Sequence, residues 1–270
     1  MIGSPLDRDR LGVVSAALLL ALAVSRLLDV AARRYEVTVF GSPLGLTLSA
    51  TTLLYLFVAG LAATGMHSLL QYHTPKQERR DTLVFWLLPA LTGIALLAWL
   101  AGLDDLGVWT LAMLAAAILI PVTFALEFGA ATATLQPSWQ QWLRLVLIHL
   151  VALIFFYALY DARLRLLGGA PLLLGFGTLL AFRLFWHQDT PARHALGHAF
   201  VVATIQTQFY WMLNYIALSS LRGGVLLMLS FYLVAGLLPQ LLGEGRRLPL
   251  VREYALVGLL AVALILLLVP

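Results

Sequence analysis

Four residues in this sequence have the types and spacing suited to binding a metal ion. His194 and His198 are four residues apart in His-Ala-Leu-Gly-His, so a helix would place both imidazoles on one face. His67 lies near the end of the second long apolar run, and Asp81 directly precedes the third. Three imidazoles, with a carboxylate acting directly or through water, would suit a catalytic zinc with an open coordination position. The alternative interpretation is that these are interfacial histidines that bind no metal.

A second set of polar residues lies inside apolar runs. It consists of His149 and of Gln206, Gln208 and Asn214 in the segment Gln-Thr-Gln-Phe-Tyr-Trp-Met-Leu-Asn. Gln206 and Gln208 are about 200° apart on a helix, so we expect one to face the bundle centre and the other a neighbouring helix. Polar groups at membrane depth are costly and mark functional sites by default. These residues either line a substrate or cofactor site or form hydrogen bonds between helices, worth around 1 kcal/mol each.

The elements that must position these side chains are helices in a lipid environment. The 270 residues are 61% hydrophobic and 11% charged, without a cysteine, whereas soluble domains carry roughly 25% charged residues. A soluble chain this apolar would aggregate, but a lipid-facing surface is expected to be apolar. The composition excludes a soluble protein and predicts an integral membrane protein with membrane lipids around it.

Apolar runs long enough to cross a bilayer, which needs about 20 residues, recur along the whole chain. They predict about nine spans, at 11–31, 46–70, 82–102, 106–127, 141–160, 169–187, 195–218, 223–242 and 250–269. We therefore expect an all-α polytopic helix bundle that forms a single membrane domain over residues 1–270. The first run is predicted to be a retained helix, with a cleaved signal peptide as the alternative because Val30-Ala31-Ala32 resembles a cleavage site.

The distribution of basic residues predicts a cytoplasmic N-terminus and a C-terminus on the opposite side. In that orientation the cytoplasmic side holds eleven basic residues: Arg8, Arg10, Lys76, Arg79, Arg80, Arg144, Arg183, Arg193, Arg246, Arg247 and Arg252. The other side holds six: Arg26, Arg33, Arg34, Arg163, Arg165 and Arg222. We predict a multi-pass protein of the bacterial cytoplasmic (inner) membrane. No basic tail or stripe indicates nucleic-acid binding.

The largest connection on the predicted extracytoplasmic side covers residues 35–49. Apolar and polar residues alternate there on either side of Gly-Ser-Pro-Leu-Gly, which is typical of a β-hairpin. We expect a small hairpin over the mouth of the bundle, with an irregular extended loop as the alternative.

The placement of the four metal-site residues resembles that in the seven-helix zinc hydrolases that include alkaline ceramidases and adiponectin-type receptors. That superfamily has a histidine near the end of helix 2, an aspartate at the start of helix 3 and His-x-x-x-His in helix 7. The matching positions here are His67, Asp81, His194 and His198. The superfamily's serine four residues before the helix-2 histidine is Ala63 in this chain. The resemblance implies zinc-dependent hydrolysis of a lipid amide within the membrane.

A broader resemblance covers most of the chain. The segments Phe40-Gly-Ser-Pro-Leu44, Trp211-Met-Leu-Asn-Tyr215 and Phe231-Tyr-Leu-Val-Ala-Gly236, the last preceded by Gly223-Gly224, are similar to those of a family of uncharacterised bacterial polytopic membrane proteins. This resemblance implies the membrane fold and no particular activity.

Three functions remain open from the sequence. No Walker loop, dinucleotide-binding glycine motif or GXSXG motif is present, which favours an accessory or scaffold component that binds other membrane subunits. The zinc-dependent lipid hydrolase is the second hypothesis. The third is a transporter of small molecules or lipids, in which His149, Gln206, Gln208 and Asn214 line a cavity at the membrane midplane.

Overall fold

The chain forms two compact units, Met1–Pro137 and Ser138–Pro270. The computed structural model describes residues 7–27, 33–39, 42–48, 50–71, 81–132, 138–164, 166–186, 191–216 and 218–242, together with Arg252, Leu256 and Gly258. These residues form eight α-helices and one two-stranded sheet. The predicted ninth span, 250–269, lies outside the described residues apart from those last three positions.

The first unit consists of four helices and a hairpin. Its elements are α1 (Arg8–Ser25), β1 (Arg33–Val39), β2 (Ser42–Leu48), α2 (Ala50–Leu70), a 3₁₀ turn (Asp81–Leu83), α3 (Val84–Ala101) and α4 (Leu106–Thr132). Each helix contacts its neighbour in sequence, and α4 also contacts α1. The core of the unit is therefore a set of four helices, as expected from their apolar sequences.

The predicted hairpin is present. β1 and β2 pair antiparallel, with Val39 opposite Ser42 and Glu36 opposite Gly45. β2 begins at Ser42, so most of the predicted Gly-Ser-Pro-Leu-Gly turn belongs to a strand. Pro43 is tolerated because both strands of a two-stranded sheet are edge strands, where a ladder hydrogen bond can be missing.

A single arginine joins two helix ends in the first unit. Arg26 follows the last residue of α1 and donates hydrogen bonds to the carbonyl oxygens of Leu103, at 3.2 Å, and Asp104, at 2.9 Å. Its guanidinium also lies 5.1 Å from the ring centroid of Trp109. The end of α1 is thereby attached to the turn between α3 and α4, whose carbonyls would otherwise lack partners.

The second unit contains the remaining four helices. They are α5 (Ser138–Asp161), α6 (Leu166–Phe185), α7 (Ala192–Asn214) and α8 (Ser220–Leu242). α6 packs on α7, α7 on α8, α8 on α5 and α5 on α6. These contacts close the four helices around a common core.

Six of the described helices are long and apolar enough to cross a membrane. They are α2, α3, α4, α5, α6 and α8. α1 begins with Arg8, Asp9 and Arg10, and α7 carries two histidines and several amides, which makes both helices more polar than the other six. Many large apolar side chains on the six apolar helices are exposed, including Leu56 and Phe57 of α2 and Leu111 and Ile118 of α4.

Two consecutive glycines allow α8 to lie directly against α5. A Cβ at Gly224 would lie 2.7 Å from the Cα of Tyr157, and one at Gly223 would overlap the ring of Tyr160. Small residues at such contacts let helix backbones approach closely, which is a common basis of helix association in lipid. Gly223 and Gly224 therefore set the distance between α5 and α8.

We expect Gly224→Ala to lower the melting temperature of the detergent-solubilised protein by about 2–4 °C or more, because the added methyl group must push α8 away from the α5 backbone. Gly175→Ala in α6 is the matched control, since no atom lies within 4 Å of a Cβ there. The control should be neutral or stabilising, because alanine favours helix. Equal melting temperatures for the two variants would contradict the close α5–α8 contact.

Candidate functional site

His67 lies in the last turn of α2 and is exposed. Its ring meets that of Trp86 on α3 edge-to-face, with the centroids 5.0 Å apart and the planes at 74°. This arrangement is a favourable aromatic contact between neighbouring helices. The ring of His67 therefore contributes to the packing of α2 on α3.

His194 and His198 occupy the first turns of α7, where their spacing places them on one side of the helix. His194 is exposed and His198 is half-buried. The ring of His198 lies edge-to-face with that of Phe185 at the end of α6, with the centroids 6.1 Å apart. This contact attaches the beginning of α7 to the end of α6.

The predicted zinc ligands are divided between the two units. His67 and Asp81 belong to the first unit, and His194 and His198 to the second. Asp81 begins the 3₁₀ turn, but its side chain lies outside what the structure describes. Among the described residues, no group of three His, Asp or Glu side chains could hold a metal ion. The four-residue zinc set stays a prediction.

Gln206 is fully buried and bonded to α8 through both ends of its amide. Its Nε2 donates to the carbonyl oxygen of Leu227 at 3.0 Å, and its Oε1 accepts from the hydroxyl of Ser230 at 2.7 Å. All three groups lie in the contact between α7 and α8. The arrangement is the interhelical hydrogen bonding that was one of the two interpretations of this residue.

Gln208 and Asn214 are exposed. The amide of Asn214 donates to the carbonyl oxygen of Tyr210 on its own helix at 2.8 Å. Gln208 lies in a shallow groove on the outer face of α7, which is lined by Ile205, Gln208, Phe209, Trp211, Met212 and Tyr215. Gln206 contacts a neighbouring helix, as expected for one of the two glutamines, whereas Gln208 is exposed and does not face the bundle centre.

His149 is buried in α5 and packs against α8. Its Nδ1 lies 2.8 Å from the carbonyl oxygen of Leu145, so this nitrogen carries the proton and Nε2 is left as an acceptor. Nε2 is enclosed and has no hydrogen-bond partner within the described part of the chain. The ring meets those of Phe231 and Tyr232 edge-to-face, at 5.8 and 5.5 Å. The four midplane candidates therefore have different surroundings in the described part of the chain, and a cavity that they line together stays a prediction.

Comparison with known proteins places the chain in a family. Residues 30–268 match the model of a protein family of unknown function, DUF5656. The chain belongs to this family. No curated protein and no solved structure matches it. The match agrees with the resemblance to an uncharacterised family, while the bacterial origin and the similarity to zinc hydrolases stay predictions.

All eight candidate site residues lie within the DUF5656 region, since the match extends from before β1 to beyond α8. The family assignment supplies no activity for any of them. Their roles therefore have to be inferred from the contacts that each side chain makes.

The DUF5656 region also contains polar contacts that the sequence analysis missed. The hydroxyl of Tyr160, at the end of α5, lies 3.1 Å from the carbonyl oxygen of Leu213 and 3.2 Å from that of Ile216. Leu213 lies in the last turn of α7 and Ile216 two residues after its end, and the Tyr160 hydroxyl adds a second donor to carbonyls that each accept a backbone N–H. A tyrosine near a predicted span end suggests an interfacial anchor, so the sequence offered no signal for this contact.

Two charged residues of the DUF5656 region are far more buried than expected. The predicted fourth span ends at Glu127, but α4 continues to Thr132 and Glu127 is completely buried. Arg183 belongs to the predicted cytoplasmic basic residues, but it lies in α6 and is 2% exposed. Neither residue is without a partner. Buried charges persist only when they are paired or hydrogen-bonded.

Substitutions of Gln206 and His149 should differ in their effect on the melting temperature. We expect Gln206→Met to lower the melting temperature in detergent by about 2–4 °C, because the hydrogen bonds to α8 are lost. His149→Leu should be neutral or stabilising, because it removes an acceptor that lacks a partner. Thermal unfolding followed by tryptophan fluorescence measures both. A stable Gln206→Met variant would show that the α7–α8 hydrogen bonds contribute little.

Proposed function

We propose that this chain is a multi-pass protein of the cytoplasmic (inner) membrane that acts as a non-catalytic accessory subunit and binds a helix of another membrane protein through α7. The six apolar helices support membrane insertion. The contacts of the deep polar residues favour a structural role, since Gln206 bonds to α8 and His149 packs among aromatic rings.

The observation that carries the proposal is a stripe of exposed residues on α7. It consists of Val201, Ile205, Gln208, Met212 and Tyr215. Their spacings of three and four residues place them on one helix face. We call this surface the α7 stripe.

The position of Gln208 distinguishes the α7 stripe from an ordinary lipid-facing surface. Its amide is exposed between Ile205 and Met212, and no hydrogen bond to it is present within the described part of the chain. In hydrocarbon an unpaired amide is costly, because lipid tails offer no donor or acceptor. A polar side chain from a partner helix would satisfy the amide, while the apolar residues on either side supply packing.

Site-specific crosslinking in native membranes tests the partner. With a photoreactive amino acid at Gln208, we expect a discrete adduct with a second membrane protein, and the same amino acid at Leu172 of α6, which is 53% exposed, should give none. Gln208→Leu should reduce recovery of that protein with the tagged chain. Only lipid adducts at both positions, or an adduct with a second copy of the chain, would overturn the accessory-subunit assignment.

The predicted orientation, with a cytoplasmic N-terminus, can be tested with single introduced cysteines, because the chain contains no cysteine of its own. Ala162 lies in the exposed turn after α5, and Arg193 is exposed at the start of α7. In cells whose cytoplasmic membrane is intact but whose envelope outside it has been made permeable, a membrane-impermeant maleimide should label Ala162→Cys. Arg193→Cys should react only after the membrane is opened. The reverse pattern would show that the N-terminus is extracytoplasmic.

A further inference from the structure

Two arginines lie at the same end of the second unit, where α5 ends and α8 begins. Arg163 follows α5 by two residues, and its guanidinium donates to the carbonyl oxygen of Leu218 at 3.0 Å. Arg222 lies four residues after Leu218, in the first turn of α8. We call Arg163 and Arg222 the interfacial arginine pair.

Contacts with Leu218 and with Tyr160 hold Arg163 in place. The guanidinium of Arg163 lies 5.5 Å from the ring centroid of Tyr160. The backbone of Arg163 adopts a left-handed conformation, with φ of 45°, which is uncommon for a residue other than glycine. Gly223, next to Arg222, packs against the same tyrosine ring. The pair is therefore built on the α5–α8 contact rather than on a loop free to move.

Arg222 lacks the acceptors that a half-buried guanidinium requires. Its Nε is enclosed and has no hydrogen-bond partner among the described residues. Neither arginine forms an ion pair in that part of the chain. Asp161 ends α5 two residues before Arg163 but pairs with neither arginine. Two guanidinium groups that form no ion pair with a described carboxylate favour an anion that carries several acceptor oxygens.

Aromatic residues at this end of α7 indicate the membrane depth of the pair. The indole nitrogen of Trp211 donates to the hydroxyl of Tyr215 at 3.0 Å, and Tyr215 is 79% exposed. Tryptophan and tyrosine are enriched at the level of the lipid headgroups. The candidate span of α5 ends at Asp161 and that of α8 begins at Ser220, both at this end of the unit.

We propose that the interfacial arginine pair binds the phosphate of an anionic phospholipid headgroup. The proposal rests on the membrane embedding in the proposed function, but not on the partner subunit. Arg222 donates to the phosphate oxygens through its two terminal nitrogens, which is a bidentate geometry that guanidinium allows. Arg163 adds a second positive charge, and Trp211 lies at the level of the glycerol and upper acyl region.

Thermal unfolding and native mass spectrometry of the full chain in a neutral detergent test this site. Phosphatidylglycerol should raise the melting temperature by about 3 °C or more, while phosphatidylcholine and inorganic phosphate should not. Arg222→Gln should weaken phosphatidylglycerol binding about tenfold, the loss expected for a charged hydrogen bond. Arg193→Gln, which removes the same charge from the other end of α7, should bind as tightly as the native chain.

Three results would overturn the proposal. Equal stabilisation by inorganic phosphate would assign the pair to a free anion, and an equal loss in Arg193→Gln would indicate unspecific attraction between charges. The third result concerns the native chain, so it does not depend on how Arg222→Gln folds. A photoreactive phosphatidylglycerol should crosslink to peptides containing residues 157–164 or 218–224. Crosslinks confined to other peptides would contradict the site. Failure here would leave the test of the α7 stripe unaffected, since that test measures a protein adduct.

Discussion

The contact between α5 and α8 is the interaction on which the second unit depends. Because Gly223 and Gly224 have no side chains, the start of α8 lies against Tyr157 and Tyr160. Because the helices are so close, Phe231 and Tyr232 of α8 contact His149 further along α5. The same closeness places Arg222 beside the end of α5. Without the two glycines the helices would separate, and the polar contacts made across this end of the unit would lose their geometry.

Much of the fold could be predicted from the sequence, because lipid imposes a simple rule. A helix that satisfies its own backbone must be about as long as the bilayer is thick, so the apolar runs predicted α2 to α6 and α8 well. The rule fails where polar residues lie inside a helix. Glu127 suggested the end of a span, yet α4 continues to Thr132, since burial in the protein can replace hydration of a charge. Most of the predicted Gly-Ser-Pro-Leu-Gly turn instead lies in β2, because proline and glycine can also occur in edge strands.

The candidate site was less predictable, because spacing along a helix fixes the relative direction of two residues but not what each one meets. The angle between Gln206 and Gln208 predicted different surroundings, and the structure shows one bonded to α8 and the other exposed. The angle could not show which of them faced inward. The rings beside His67 and His198 belong to neighbouring helices, and no sequence motif indicates such contacts. Convergence of distant residues depends on helix rotation, which sequence periodicity alone leaves open.

In a bilayer, the contact between Tyr160 and the end of α7 would limit how the second unit adapts to membrane thickness. Membrane helices adjust to hydrocarbon layers of different thickness by tilting, bending or sliding past their neighbours. The hydroxyl of Tyr160 lies within hydrogen-bonding distance of two carbonyls at the end of α7, and Gln206 joins α7 to α8 in the interior. Sliding α7 by one turn would break both attachments. A change in hydrophobic thickness must therefore be met by tilting the four helices of the unit together, or by deforming the lipid around them.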